Sequence, residues 1–497
     1  MSTTRQTDEP SKIGFSSLPS EIVSEIFKEL DWRELLNARQ TCTLLYNASR
    51  SREIWDNLIR IHAAAAHGPP TIFDKPIRMY NAAKLEERFL RWMKTESTWL
   101  NEIPLNEKYI PDSSHEFLYS HLLQRGGRWF ICSDFGGEVL YCDLESPETS
   151  FVPLISYPFS SRRKSMTLMA VEEDPEAEIL SFKIAVVHIL FADWMKGPHG
   201  QPEVTGDSRV DVWSGCVILD KEGQGTGLQV EQLASVRISV HLGKPLFGVS
   251  LRGSLVAFTV QWRLFGTTVY GCDAIIIDWM SQPSQSQLFR RKTVNYLTDT
   301  AGERRVEVML LPDNRLLTVP SPDLCIYDLS LVPWSSEERP VCVDMSVPER
   351  QSCSVTVPGT SVQHPCGFSK VFHLPDNEYR VVFNTLAGIR GLIVRYAETG
   401  SLEASAVELI HWREKMDKYI REFRSDFSYN YGVARSESGL LLRVRFSWPD
   451  EESSFETGTS LILDETNEMP LVMNMDVAAG RLAWIAAESG RVAMLDF

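Results

Sequence analysis

Residues 478–497, AAGRLAWIAAESGRVAMLDF, hold two short apolar runs parted by a turn, the second of them ending on an aspartate. Runs of this length, bounded by Gly, Ser and Asn, read as β-strands of a hairpin rather than as a helix. Working back along the chain, the same ending recurs at VLYCD (to Asp143), CVILD (Asp220), AIIID (Asp278), LCIYD (Asp328) and LILD (Asp464), with VAMLD (Asp496) the last. Several are preceded by a turn and another apolar strand, as in RGSLVAFTV, PDNRLLTVP and ESGLLLRVRF. From about residue 115 onward helical periodicity fades, and the chain reads as a succession of short antiparallel strands.

This repeating unit resembles the blades of WD-like β-propellers, although the strict Gly-His and Trp-Asp dipeptides are missing. The aspartate spacings are uneven, as in blades with insertions of varied length, and the two widest gaps contain strand candidates at FKIAVVHILFA and YRVVFNTLAGIRGLIVRY. A large all-β domain of six to eight blades fits the span, with an irregular β-sandwich as the runner-up. The terminal unit suggests ring closure, for which the strand near Trp129 to Cys132 is the expected partner. One segment breaks the pattern: AVELIHWREKMDKYIREF, residues 406–423, reads as a helical insertion.

The front of the chain is different. In LPSEIVSEIFKEL, residues 18–30, Ile22, Val23, Ile26, Phe27 and Leu30 share one broad helical stripe, with Glu21, Ser24, Glu25, Lys28 and Glu29 opposite. Pro19 suits the first turn of that helix. Asp31 and Glu34 have capping-box spacing, so a second helix carrying Leu35 and Leu36 starts there, followed by a third through Leu44, Leu45 and Tyr46. A fourth runs through Ile54, Trp55, Leu58 and Ile59, and a fifth, after HGPPTIFDKP, spans Asn81 to Met93 with Leu85, Phe89, Trp92 and Met93 on one side. So few short helices share little surface, and a partner is expected to complete their burial. The aromatic face of the fifth is expected to pack the helices against the β domain.

The stretch LPSEIVSEIFKELDWRELLNARQTCTLLYNASRSREIW, residues 18–55, resembles an F-box: an opening Leu18-Pro19, the Ile22/Ile26/Leu30 spacing, Leu35-Leu36, Cys42 and a closing Trp55. Thr43, Leu44 and Leu45 stand where that family often has an aromatic or basic residue after the cysteine. The resemblance covers under a tenth of the chain. It implies that Leu18, Pro19, Ile22, Ile26, Leu30 and Leu35 form an apolar interface for a Skp-type adaptor, which leads to a cullin and a RING protein, while Phe27, Leu36, Cys42 and Trp55 form the module's core. The expected organisation is a disordered N-terminus (1–14), a small all-α F-box (15–62), a helical linker (63–114) and a propeller-like recognition domain (115–497).

Composition bounds the rest. With 43% apolar and 23% charged residues, the balance is that of folded domains rather than disordered chains. Residues 1–100 hold 14 Lys and Arg against 13 Asp and Glu, and the remainder 36 against 53, so the acidity lies in the β domain. Such a domain repels phosphate backbones, which disfavours nucleic acid as its ligand and leaves a protein as the expected partner. The N-terminus lacks the pattern of a secretory signal, and the longest apolar run, Ile184 to Ala192, is about half a membrane span. No membrane contact is expected, and a cytoplasmic or nuclear protein is, with its nine scattered cysteines reduced.

No motif supports catalysis. His62 and His67 lie five apart, on different helical faces, which is wrong for metal ligands. EGQGTGL, residues 222–228, follows a strand but opens no apolar helix, so it reads as a hairpin loop and not a phosphate cradle. There is no GxSxG elbow and no zinc-type cysteine pair, and Asn47-Ala48-Ser49 is a sequon inside the F-box. The basic runs at Arg162 to Lys164 and Arg290 to Lys292 are too short for an import signal. Cys42 reads as a packing residue. The expectation is a non-catalytic substrate receptor of an SCF-type ubiquitin ligase, without metal or cofactor; the rivals are an adaptor-bound scaffold and a propeller hydrolase. The substrate site cannot be assigned.

Overall fold

A computed structural model describes residues 18–65, 72–99, 106–110, 117–134, 137–157, 165–193, 203–204, 209–238, 245–263, 270–281, 291–298, 307–318, 323–332, 334, 351–356, 367–385, 388–396, 402–411, 424–435, 441–450, 457–463, 470–486 and 491–496. Among these residues, five α-helices come first: α1 (Ser20–Lys28), α2 (Trp32–Arg39), α3 (Thr43–Ala48), α4 (Arg52–Ala65) and α5 (Ala82–Thr98). The β structure of the described residues follows, in seven antiparallel sheets, each with a path of four hydrogen-bonded strands. The N-terminal segment expected to be disordered and His67 lie outside the described residues.

The sheets follow one another as blades: 117–155, 165–237, 245–298, 308–356, 372–411, 424–463 and 470–496. The seventh blade supplies three strands, and its fourth is Asn106–Ile110, which runs antiparallel to Val492–Asp496. Ring closure therefore comes from within the stretch read as linker. Trp129 to Cys132, expected to close the ring, instead belongs to the second strand of blade 1 (Trp129–Asp134) and pairs with Val139–Asp143. The physical reason is economy of edges: among the described strands, the one lying before blade 1 covers the last open edge of blade 7. The other correction concerns residues 406–423. Ala406 to His411 is part of an edge strand (Leu402–His411) paired with Gly388–Tyr396, not a helix, and 412–423 lie outside the described residues.

Seven buried clusters hold the ring, one at each seam between neighbouring blades. Ile275 and Ile277 pack with Val187, Val210 and Val212 of blade 2, whereas Ala274 and Ile276 of the same strand pack with Leu310 and Leu316 of blade 4. Equivalent clusters join blades 4 and 5, 5 and 6, 6 and 7, 7 and 1, and 1 and 2. Alternate side chains thus face opposite seams, and because both faces are buried the strands read as unbroken apolar runs. A two-layer sandwich would leave each sheet one solvent face, which these strands lack.

The recurring aspartates punctuate the blades. Asp143, Asp220, Asp278 and Asp328 stand at the end of the third strand of blades 1 to 4, and each accepts the N–H of the residue two further on (2.8–3.2 Å). This is an Asx turn, which starts the reversal into the fourth strand. In blade 7 the equivalent Asp496 instead receives the Arg481 guanidinium at 2.8 Å. LILD is the exception, since its strand is the fourth of blade 6.

Candidate functional site

Sequence and local chemistry set each helix of the N-terminal module. Asp31 caps α2 by accepting the Glu34 N–H (2.7 Å), and Glu34 returns a bond from the Asp31 N–H (3.1 Å), the expected capping box. Asp31→Ala should lower stability by ~1 kcal/mol in denaturant titration. Val23 and Phe27 of α1 enter a core with Leu35, Ile54, Trp55, Leu58 and Ile59. That core also takes Ile72, Phe73 and Tyr80, and from α5 Leu85, Phe89, Trp92 and Met93. The burial that short helices alone cannot supply thus comes largely from this chain itself. Arg39 ties three elements together: it pairs with Glu86 of α5 and donates to Ser49 Oγ (2.8 Å), while Trp55 Nε1 donates to the Ser49 carbonyl (3.0 Å). His62 packs edge-on to Phe89 and Trp92, where desolvation lowers its basicity.

What α1 leaves outside is apolar. Ile22 is 48% exposed, Pro19 is exposed, and Leu18, Ile26 and Leu30 are half-buried. The adjoining α3 adds exposed Leu44 and Tyr46. The structure departs from the sequence assignments at two residues. Leu35 is fully buried, clustered with Val23, Phe27 and Trp55, so it serves the core and not the outer face. Cys42 is exposed, since it sits at the extended N-cap of α3 rather than on a packed helical face. Phe27 and Trp55 are buried and Leu36 is half-buried. Cys142 contrasts with Cys42: burial, with Asp143 alongside, pushes its thiol up to about 12. A thiol reagent at neutral pH should therefore label Cys42 and spare Cys142.

The module is bolted to the ring. Trp99, just past α5, is 1% exposed in the seam between blades 6 and 7; it donates to the Val444 carbonyl (2.9 Å) and meets the Tyr431 ring edge-on. Arg88 donates to the Gly126 carbonyl (3.2 Å) and pairs with Glu145 of blade 1 (3.3 Å). Lys75 reaches the Gly223 carbonyl, and the Leu180 N–H donates to the Asp74 carbonyl (2.7 Å). Ala478 of blade 7 packs on the helical core. Gly126, Glu145, Leu180, Gly223 and Ala478 follow first or third strands, and Val444 lies near the end of a third, so these positions open on one face of the propeller, and Gly223 lies in the hairpin turn expected there. Nothing in the sequence pattern marks Trp99 or the strand at 106–110 as anchors; a lone tryptophan after a helix carries no period.

Around the axis, blades are stitched by side chains that bond the backbone of a neighbouring blade. Glu172 accepts the Gly253 N–H (2.9 Å), Glu173 the Gln124 N–H (2.7 Å) and Asp426 the Met475 N–H (2.6 Å). Burial would raise the Glu173 carboxyl, but the His121 bond and charge and the Gln124 amide hold it below its usual range. Among the described residues no group of three or more His, Cys, Asp or Glu could hold a metal ion. No described helix is long and apolar enough to cross a membrane.

The architecture defined so far is a small helical module anchored to a seven-bladed propeller. Residues 15–61 match the F-box-like family, so the helical module is F-box-like, and the seven-bladed β-propeller stands behind it. No curated relative matches the sequence. Solved propellers are similar at low identity: the β-propeller domain of Cps50 (Swd1) from Myceliophteria thermophila (12% identity, 79% of this chain and 100% of that one, TM-score 0.45), the C-terminal WD40 domain of Sif2 (7%, 79% and 98%, 0.40) and the WD40 domain of SCAP from fission yeast (9%, 79% and 98%, 0.36).

Proposed function

We propose that this chain is the substrate-recognition subunit of an SCF-type cullin-RING ubiquitin ligase, working in the cytoplasm or nucleus. The single observation that carries this reading is the division of α1: Val23 and Phe27 fill the core while Ile22, beside Pro19 and Ile26, is left for another surface. Burying such a side chain against a partner contributes about 1.5–3 kcal/mol, which rewards docking of a Skp-type adaptor. Through the adaptor come the cullin and RING protein. The propeller, held on the module by Trp99, Arg88 and Lys75, presents a captured protein at a fixed offset from the transferring enzyme, and raises its effective concentration there. In this role the chain forms no covalent intermediate.

The test is a reconstituted ligase of adaptor, cullin, RING protein and this chain, supplied with a protein that the propeller captures. Ubiquitin should pass to that protein with the wild-type chain. A captured protein that stays unmodified while adaptor and cullin are both bound would leave a binding scaffold and remove the ligase.

A further inference from the structure

Asp476 ends the first strand of blade 7 (Pro470–Asp476) at the place where three parts of the molecule meet. Two residues on, Ala478 packs into the helical core, and Gly127 of blade 1 lies directly against the carboxyl. The contact is tight: a Cβ on Gly127 would stand 2.8 Å from Asp476 Oδ2, and Gly127 has a φ of 56°, so glycine is required twice over. Asp476 is 3% exposed. Its Oδ1 accepts the Ala479 N–H at 2.9 Å, but among the described residues Oδ2 has no hydrogen-bond partner. The obvious cation, Arg481, is committed elsewhere, to the Gly127 carbonyl and to Asp496 at 2.8 Å.

An ionised carboxylate with one buried, unbonded oxygen is costly, whereas the protonated acid is not. The groups facing it do not reverse that balance. Glu173 from blade 2 opposes ionisation, and Lys370, ahead of the first strand of blade 5, and Arg481 favour it. Nearby are His121 of blade 1, which lies against Glu173, and Asp426 of blade 6, whose oxygens take the Met475 and Phe427 amides. Arg88 of α5 spends itself on Gly126, Ile72 and Glu145.

We propose that Asp476 is a proton-linked latch: protonated, it lets the turn of blade 7 close on Gly127 and on the helical module, and its ionisation loosens that three-way seam. Burial, with Glu173 adding to it, pushes the carboxyl up to about 7, so the switch falls at neutral pH. In the unfolded chain the group titrates near 4. Because the folded state binds the extra proton between those values, this contribution to stability is complete below about pH 4 and is lost as pH rises through about 7. Most carboxylates behave in the opposite way, which is what makes the effect separable.

The experiment compares thermal melts of the full chain and Asp476→Asn from about pH 5 to about pH 8. Asparagine is isosteric and never ionises. The variant should match the wild type or melt slightly lower at the acid end, and should melt several degrees higher at the alkaline end. A difference that stays constant with pH, or favours the wild type most at high pH, would overturn the latch. Should the variant not fold, hydrogen exchange of the wild type decides: protection at residues 126–128 and 476–480, corrected for intrinsic rate, should fall between about pH 6 and about pH 8. Unchanged protection there would equally refute it. Neither readout involves adaptor or substrate, so the outcome is independent of the ligase reading.

Discussion

The double substitution Ile22→Asp/Ile26→Asp is expected to abolish adaptor capture while leaving the fold intact. Ile22 is 48% exposed and Ile26 half-buried, so charge on either is tolerated by the free chain and is penalised on docking, when it has to be desolvated. Central interface residues cost ~2 kcal/mol or more each, so the pair should weaken binding about a thousandfold. Titration of a purified Skp-type adaptor gives the affinity and circular dichroism the fold. Loss of binding with an unchanged melting curve is the predicted result. Val23→Asp is the contrasting variant: it buries a charge in the core and should unfold the module.

The second large effect is at Trp99. Removing a buried tryptophan costs about 3–5 kcal/mol, and Trp99→Ala takes away the Val444 bond, the Tyr431 contact and part of the core between blades 6 and 7 together. Because this side chain also anchors α5, the loss should appear as uncoupling: the helical module and the propeller should melt in two steps where the wild type melts in one. Scanning calorimetry reads this directly. In the ligase the same variant should bind adaptor normally but transfer ubiquitin poorly, since the captured protein is no longer held at a fixed offset.

Much of this architecture was legible in the chain because it rests on local patterns. The stripe of α1, the Asp31/Glu34 box and the apolar runs ending in aspartate each depend on neighbours within a few residues, and the structure gives each a direct physical cause. FKIAVVHILFA and YRVVFNTLAGIRGLIVRY were marked as strands for the same reason, and they lie in blades 2 and 5. What escaped is non-local. The closing strand at Asn106–Ile110 pairs with residues almost four hundred positions away, and no period links the two. The resemblance put Leu35 on the interface and Cys42 in the core, but a short motif does not show which face the rest of the molecule covers: Leu35 is buried and Cys42 exposed. The helical reading of 406–411 failed through competition: AVELIH suits a helix in isolation, but the open edge of Gly388–Tyr396 draws it into the sheet.

The decisive measurement is co-purification of the full chain, with adaptor and cullin quantified by mass spectrometry. The wild type should recover both, and Ile22→Asp/Ile26→Asp neither. Recovery of no adaptor by the wild type would contradict the F-box reading of α1, and recovery of adaptor without cullin would contradict the ligase.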